Sequence, residues 1–497
     1  MKIENSVATA LNDNPVIHEI NTFIWLRELG KKYRKKITLA NVPVKEFDEF
    51  AAMGFNAIWL MGVWKRSQAG LEIAKKHEII MKELHEALPD LQEEDIAGSP
   101  YCIKDYTVDP SIGGEKGLAR TRKELAARGM KLILDFVPNH VAPDHPWTKS
   151  HPGFFITGTE QEMSSRAEDF YKSGKHIFAK ARDPFYPPWP DVLQLNVFDN
   201  GLREKLLETL KSIAAASDGI RCDMAMLVMN DIFGRNWGEK AGQAPAVDFW
   251  NFVIPAVKKE YPGFMFIAES YWDTEPALIA QGFDYCYDKR YYDYLKEGAP
   301  RILQHLSEMD EYRDKLLRFI ENHDEPRAAG LFPFEKHRAC ALASLTLPGP
   351  RLLHDGQLSG RTVKVPVFLS RRQDEQEKAE ISKFYLQLIK LLRFDAVRKG
   401  NWALCNVSGW TDNQSCRNLL AWEWVCEHET LMIVVNLSDS PSQAHVKSGF
   451  HYRPGRTYQL FDVISGELYL RDGEEMNDPG LYVVLPGWGV HALSIEH

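Results

Sequence analysis

Hydrophobic residues along this 497-residue chain follow two alternating rhythms. Short unbroken apolar runs predict strands buried on both faces, at His18–Trp25, Ala57–Met61, Lys131–Phe136, Gly219–Asp223, Phe264–Glu269, Asp284–Tyr287, Leu317–Glu321 and Arg351–His354. Between them lie stretches such as Glu115–Arg128, Leu202–Ala215, Phe249–Glu260 and His337–Leu345, where apolar positions recur every three or four residues, as in a helix that covers a sheet. Gly129 follows the first of these helices as a stop signal. Eight such alternations predict an α/β fold, a closed parallel (β/α)8 TIM barrel.

The rhythm breaks in three places. Residues 141–200, with DHPWTKSHPGFF and DPFYPPWPDVLQLN, are rich in Pro, His and aromatics and hold no long helical pattern. They predict an excursion domain between strand 3 and helix 3, at the rim where such excursions shape clefts. A second insertion, residues 65–98, has a helical middle (LEIAKKHEIIMKELHEAL). After residue 395, Asn418–Val425, Thr430–Asn436, Thr457–Phe461 and Tyr482–Leu485 are short β-prone segments separated by turns such as Ser448-Gly449 and Asp472-Gly473. The expected domains are a barrel over 1–140 and 201–395, the excursion over 141–200, and a C-terminal antiparallel β-sandwich over 396–497.

Composition narrows the classes only modestly. A net charge of −9, with no Lys/Arg-rich run, speaks against a nucleic-acid partner. No apolar run reaches membrane-spanning length, so no membrane partner is expected. The first residues, MKIENSVATALNDNP, lack the basic-then-apolar order of an export signal. The 7 cysteines are scattered, with no C-x-x-C pair, so free thiols in a reducing cytoplasm are expected and zinc is not. The 13 Trp, 18 Tyr and 25 Phe are compatible with stacking against sugar rings. Oligomeric state has no signal in the chain.

Candidate chemistry lies at the ends of four strands: LILDFVPNH (132–140), GIRCDMAM (219–226), FMFIAES (264–270) and FIENHDEPR (319–327). Each apolar run stops abruptly in acids, histidines or an arginine. The C-terminal tips of barrel strands are where such a fold keeps its active site. Carboxylates gathered on one rim point to a nucleophile and a general acid, most simply on a glycosidic bond. Arg221 precedes Asp223 by two residues and so shares its face of the strand, where it would keep that carboxylate ionised and oriented.

In order and spacing these four segments resemble the signature segments of the α-amylase family (glycoside hydrolase family 13). GSPYCIKDYTVDPSIGG (98–114) is similar to the family's tyrosine-bearing loop, PDVLQLN (190–196) to its accessory motif near the end of the excursion, and LPGPRLLHDGQLSGR (347–361) to its eighth-strand segment. The resemblance implies Asp223 as nucleophile, Glu269 as general acid/base and Asp324 as the third acid, which would bind sugar hydroxyls and favour the distorted ring. It further implies substrate contacts from Tyr101, His140, Arg221 and His323, and a supporting role for Asp135. No cofactor is required. Calcium is allowed, with Asn139 as the one weak candidate ligand.

One departure stands out. Met226 and Leu227 occupy the positions where many amylases carry a Lys-His pair that lines the next subsite. The expectation is therefore a cytoplasmic retaining α-glycoside hydrolase working by double displacement on α-linked glucose oligosaccharides or glucans. The alternative is an α-glucosyl or glucan transferase with a sugar or phosphate acceptor. A non-catalytic carbohydrate- or protein-binding relative is disfavoured, because all three acids, Arg221 and both histidines are present.

Overall fold

A computed structural model describes residues 14–497. Its main sheet has eight strands: β1 (Val16–Asn21), β2 (Ala57–Met61), β3 (Lys131–Phe136), β4 (Gly219–Cys222), β5 (Met265–Ala268), β6 (Tyr285–Tyr287), β7 (Leu316–Leu317) and β8 (Arg351–His354). They neighbour one another in the order β7-β6-β5-β4-β3-β2-β1-β8. Pairing is parallel from β2 through β6. Just past β7, Arg318 bridges in parallel to Arg351 of β8, which supplies the remaining link of a closed barrel. This is the eight-stranded parallel barrel that the apolar runs predict.

The described chain divides into two compact units, the first built on His18–Tyr287 with Lys364–Asp374, the second on Asp288–Val363 with Glu375–His497. In the first, β2 is buried along its whole length and β3 from its second residue on. That is why these strands are continuous apolar runs and not alternating ones. The helices covering them show the complementary stripe. Helix α1 (Thr22–Tyr33) starts where the Asn21 side chain accepts a hydrogen bond from the Ile24 amide. This cap ends β1 at Asn21, so the expected strand over His18–Trp25 is shorter and Thr22–Trp25 is helical.

Helix α2 (Gly114–Ala126) is followed by Gly129 at φ +73°, a left-handed conformation that glycine adopts without strain, and the chain turns there so that the Met130 amide reaches the Leu125 carbonyl. Helix α3 (Asn200–Ala216), capped by Asp199, buries Leu202, Leu206, Leu210 and Ile213. Each such leucine or isoleucine taken out of water contributes about 1.5–3 kcal/mol before entropy is counted. Helix α4 (Phe249–Glu260) spans the residues that its periodicity predicts. The insertion after β2 forms two helices, Gln68–Ala74 and Glu78–Ala87, in place of one continuous helical stretch, because His77 caps the second.

Between β3 and α3 the chain makes short pieces only. His140–Val141 pairs antiparallel with Leu193–Gln194, and Phe170–Ser173 pairs with His176–Ala179. Ala142, Ala181 and Val192 pack with Cys102 into a small core of their own.

The second unit carries β7, β8, helix α5 (Phe334–Leu345) and the C-terminal strands. These are β9 (Asn401–Leu404), β10 (Asn406–Ser408), β11 (Leu419–Val425), β12 (Glu429–Asn436), β13 (Ser442–Lys447), β14 (Thr457–Asp462), β15 (Leu468–Asp472), β16 (Leu481–Leu485) and β17 (Val490–Glu496). One sheet runs β9-β11-β12-β17-β14-β15 and another β10-β13-β16. Strands β14 and β16 alternate buried and exposed residues in perfect period two. Their inward residues Tyr458, Leu460, Leu481, Val483 and Leu485 share one core with Ala444 and Val446 of β13, which is the packing of a sandwich. All seven cysteines are free. No helix among the described residues is long and apolar enough to cross a membrane.

Candidate active site

The tips of β3, β4 and β5 lie side by side. Arg221 is in register with Asp135 on one side and Ile267 on the other. Just beyond β4 the Asp223 amide donates to the Phe136 carbonyl at 2.8 Å, and just beyond β5 the Glu269 amide donates to the Cys222 carbonyl at 3.0 Å. Each acid is thus fixed by the strand next to its own.

Arg221 is the centre of this arrangement. It is 1% exposed. Its Nη1 donates to Asp223 Oδ1 at 2.5 Å and its Nη2 lies 2.8 Å from Glu269 Oε1. Its Nε reaches the Tyr287 hydroxyl at 3.4 Å. The guanidinium also lies over the rings of Trp59, Tyr101 and Tyr287, 5.3–5.7 Å from their centroids. Burial works against its charge, but Glu269, Tyr101, Tyr287 and Asp223 together hold it well above its ordinary pKa. Arg221 therefore stays cationic throughout any accessible pH.

Glu269, 3% exposed, accepts two further hydrogen bonds, from the Met224 amide at 2.6 Å and from the Tyr271 hydroxyl at 2.9 Å. The first depends on Met224, which directly follows Asp223 and takes a left-handed turn at φ +43°. A side-chain-bearing residue in that region is uncommon, and here it aims the amide back at the acid. Tyr271, Tyr287, Trp59 and the Met224 amide are members that pattern reading missed. For Tyr271 the available signal was its place two residues after Glu269.

Asp135 is buried and accepts from Trp59 Nε1 at 2.9 Å and from the Gly62 amide at 2.8 Å. These contacts tie β2 to β3. His140 is buried beside Trp189, with ring centroids 5.3 Å apart. Burial pushes its imidazole down to about 3, against a weaker hydrogen bond with the Tyr101 backbone, so it is neutral near pH 7 and carries a single N–H.

Asn139 Oδ1 accepts a hydrogen bond from Gln194 Nε2 at 2.8 Å. Among the described residues no three His, Cys, Asp or Glu side chains gather as a metal-ligand set. Calcium asks for six to eight oxygens. The oxygens at Asn139 are turned toward an amide instead, so the residues do not fit that ion.

Met226 and Leu227, which stand in place of the Lys-His pair of many amylases, are turned inward. Both sit in the short helical turn Ala225–Val228 and are 0% and 2% exposed. Met229, just beyond, is the residue that reaches a cleft of about 790 Å³ walled by Arg182, Phe185, Tyr186, Ile232 and Trp272. Phe185 and Tyr186 are 68% and 71% exposed, and Phe185 meets Trp272 edge-on at 5.0 Å. Trp272 and Asp273 both hold positive φ, on the loop that begins with Glu269.

In the second unit, Glu321 is fully buried and takes Arg327 Nη1 at 2.7 Å and the Ala328 amide at 2.8 Å. Glu325 pairs with Lys289 at 3.3 Å. Both neighbours of the Asn322–His323–Asp324 run are thereby engaged structurally. Asp324 has a side chain 45% exposed, with His323 Nε2 at 3.0 Å, and the Asn322 side chain caps the turn through the Asp324 amide.

Comparison with known proteins bears on this constellation. Residues 44–280 match the α-amylase catalytic-domain model. The α-amylase of Haloarcula japonica is 22% identical over 73% of this chain and 51% of its own length. The α-1,4-glucan:maltose-1-phosphate maltosyltransferase of Pseudomonas aeruginosa is 23% identical over 37% of this chain and 24% of its own. The chain thus spans about half or less of the length of these curated relatives. Among solved structures, an α-amylase from Lactobacillus plantarum superposes with a TM-score of 0.69 at 18% identity, covering 97% of this chain and 99% of its own. An acarbose-complexed α-amylase from Geobacillus thermoleovorans reaches 0.65 at 18% identity, covering 98% of this chain and 99% of its own. Residues 44–280 of this chain thus match an α-amylase catalytic domain.

Proposed function

We propose that this chain is a retaining enzyme of α-glucosidic bonds, with Asp223 as nucleophile and Glu269 as general acid/base. One observation carries the reading: a single buried guanidinium, Arg221, grips both carboxylates from adjacent strand tips. One guanidinium shared by both carboxylates keeps them close together, in keeping with the ~5–5.5 Å carboxyl spacing of retaining glycosidases against the ~6.5–9.5 Å of inverting ones.

In the proposed cycle Asp223 attacks the anomeric carbon while Glu269 passes a proton to the departing oxygen, leaving a covalent glycosyl-enzyme. Glu269 then takes a proton from the incoming acceptor, and the acceptor oxygen displaces Asp223. The neutral His140 imidazole donates to a sugar hydroxyl and the Tyr101 ring supplies an apolar face. Asp324, oriented by His323, is proposed from its motif as the acid that binds the sugar's hydroxyls.

The substrate class proposed is an α-linked glucose oligosaccharide or glucan. A second reading, transfer to a sugar acceptor, is favoured by the cleft beside the Glu269 loop. Its volume suits a disaccharide-sized ligand, and exposed Phe185 and Trp272 offer ring faces where water alone would need none. Thin-layer chromatography of products from maltose, maltooligosaccharides, isomaltose, trehalose and sucrose, with and without phosphate, separates the two. Shorter sugars alone indicate hydrolysis, and longer or phosphorylated products indicate transfer. No turnover of any of these would overturn the reading.

A further inference from the structure

Gln194 is fully buried in the excursion, on the strand that pairs with His140–Val141. Its Nε2 faces three oxygens at once: Asn139 O at 3.0 Å, Asn139 Oδ1 at 2.8 Å and Leu195 O at 3.0 Å. An amide nitrogen has two protons, so three acceptors exceed what it can satisfy. The opposite rotamer would turn Oε1 against the same three oxygens, so the nitrogen must point inward. Oε1 has no hydrogen-bond partner among the described residues. The surroundings were therefore shaped around a positive point, and the rest of the amide is accommodated at a cost.

Oxygens converging on one atom are the mark of a cation seat. Here the seat holds no carboxylate, and its oxygens stand farther from the centre than the ~2.3–2.6 Å that calcium takes. The seat also has a mechanical role. The Leu195 amide donates to Asn139 O at 3.0 Å, so Gln194 and Leu195 together fasten the return limb of the excursion to the end of the β3 segment, next to His140.

We propose that the Gln194 carboxamide is a built-in substitute for a cation at this joint, and that the chain fastens its excursion to the barrel without calcium. Replacing the amide by a carboxylate of the same shape would recreate the demand for an ion. Gln194→Glu would place a negative oxygen against three others, a repulsion relieved by a bound cation, or by protonation of the carboxyl at low pH, so the test is run near pH 8.

The test compares wild type and Gln194→Glu, each stripped with chelator, by melting temperature with and without excess calcium and by metal content after dialysis. Wild type is expected to retain no calcium and to melt at the same temperature in chelator and in calcium. Gln194→Glu is expected to melt several degrees lower in chelator, to recover most of that loss in calcium with one equivalent bound, and to become chelator-sensitive in activity. Wild-type protein that retains an equivalent of calcium and melts lower once stripped would overturn the proposal, and that arm needs no variant to fold. A Gln194→Glu protein that calcium neither stabilises nor binds would overturn the cation-like character of the seat.

Discussion

Arg221 Nη1 lies 2.5 Å from Asp223 Oδ1, two residues along one strand. The same guanidinium continues to Glu269 on the neighbouring strand. A single side chain therefore sets the orientation of both proposed reacting groups, and its removal should be felt in stability as well as in rate. Arg221→Met would leave two buried carboxylates without their cation. The expected loss is about 3–5 kcal/mol, read from urea denaturation. Adding Asp223→Asn to Arg221→Met should recover part of that loss, because the two residues are coupled.

Glu269→Gln should lower kcat by about 10²–10⁴-fold on a substrate with a poor leaving group. An aryl α-glucoside whose leaving group needs no proton should lose much less in its first step. Parallel kinetics on maltooligosaccharides and on the aryl substrate check this. Equal losses on both would mean that Glu269 does not act as the acid.

The parts of this site that pattern reading found, and those it missed, differ in a physical way. Buried parallel strands must be apolar from end to end, so Ala57–Met61, Lys131–Phe136 and Arg351–His354 were legible to the residue. The abrupt switch to charge at their tips marked Asp223 and Glu269. The expected strand over His18–Trp25 overruns β1 because Phe23–Trp25 continues the apolar run, although Asn21 is a local N-cap signal that ends the strand and starts the helix. Strands such as Ser442–Lys447 and Leu468–Asp472 are polar or exposed enough to hide their period. Arg221's reach to Glu269 crosses between strands and leaves no local trace. Met226 and Leu227 illustrate the converse: a position aligned with a subsite residue had turned inward, and its apolar character was the signal.

His140 carries a pH prediction. Its folded imidazole is pushed down to about 3 from an unfolded value of 6.5. Between those values the unfolded chain binds a proton that the folded chain refuses, so the neutral imidazole's contribution is fully present above pH 6.5 and is lost as pH falls toward 3. The slope is about 1.4 kcal/mol per pH unit for such a group. Asp191, pushed up to about 6 by burial, acts in the opposite sense over the upper part of that range. Comparing urea denaturation of wild type and His140→Asn from pH 7 to pH 4 isolates the histidine, and the variant's dependence should be flatter. Identical slopes would contradict the neutral, buried assignment.

Trp272→Ala and Phe185→Ala should leave the rate on a short aryl α-glucoside nearly unchanged. They should raise KM for maltooligosaccharides and reduce the share of transfer products relative to hydrolysis. Base–aromatic or sugar–aromatic stacking contacts of this kind are worth on the order of 1 kcal/mol each, so a shift of about fivefold is expected. Unchanged product ratios in both variants would remove the cleft from the acceptor path.

The central claim is that Asp223 becomes covalently glycosylated, and intact mass spectrometry tests it most directly. Glu269→Gln protein is incubated with α-glucosyl or α-maltosyl fluoride, whose leaving group needs no acid, while the missing base slows release of the intermediate. The account predicts a mass increase of one glycosyl unit, located by peptide mapping on Asp223 and absent when Asp223→Asn is added. An adduct on another residue, or one that persists in Asp223→Asn, would contradict it.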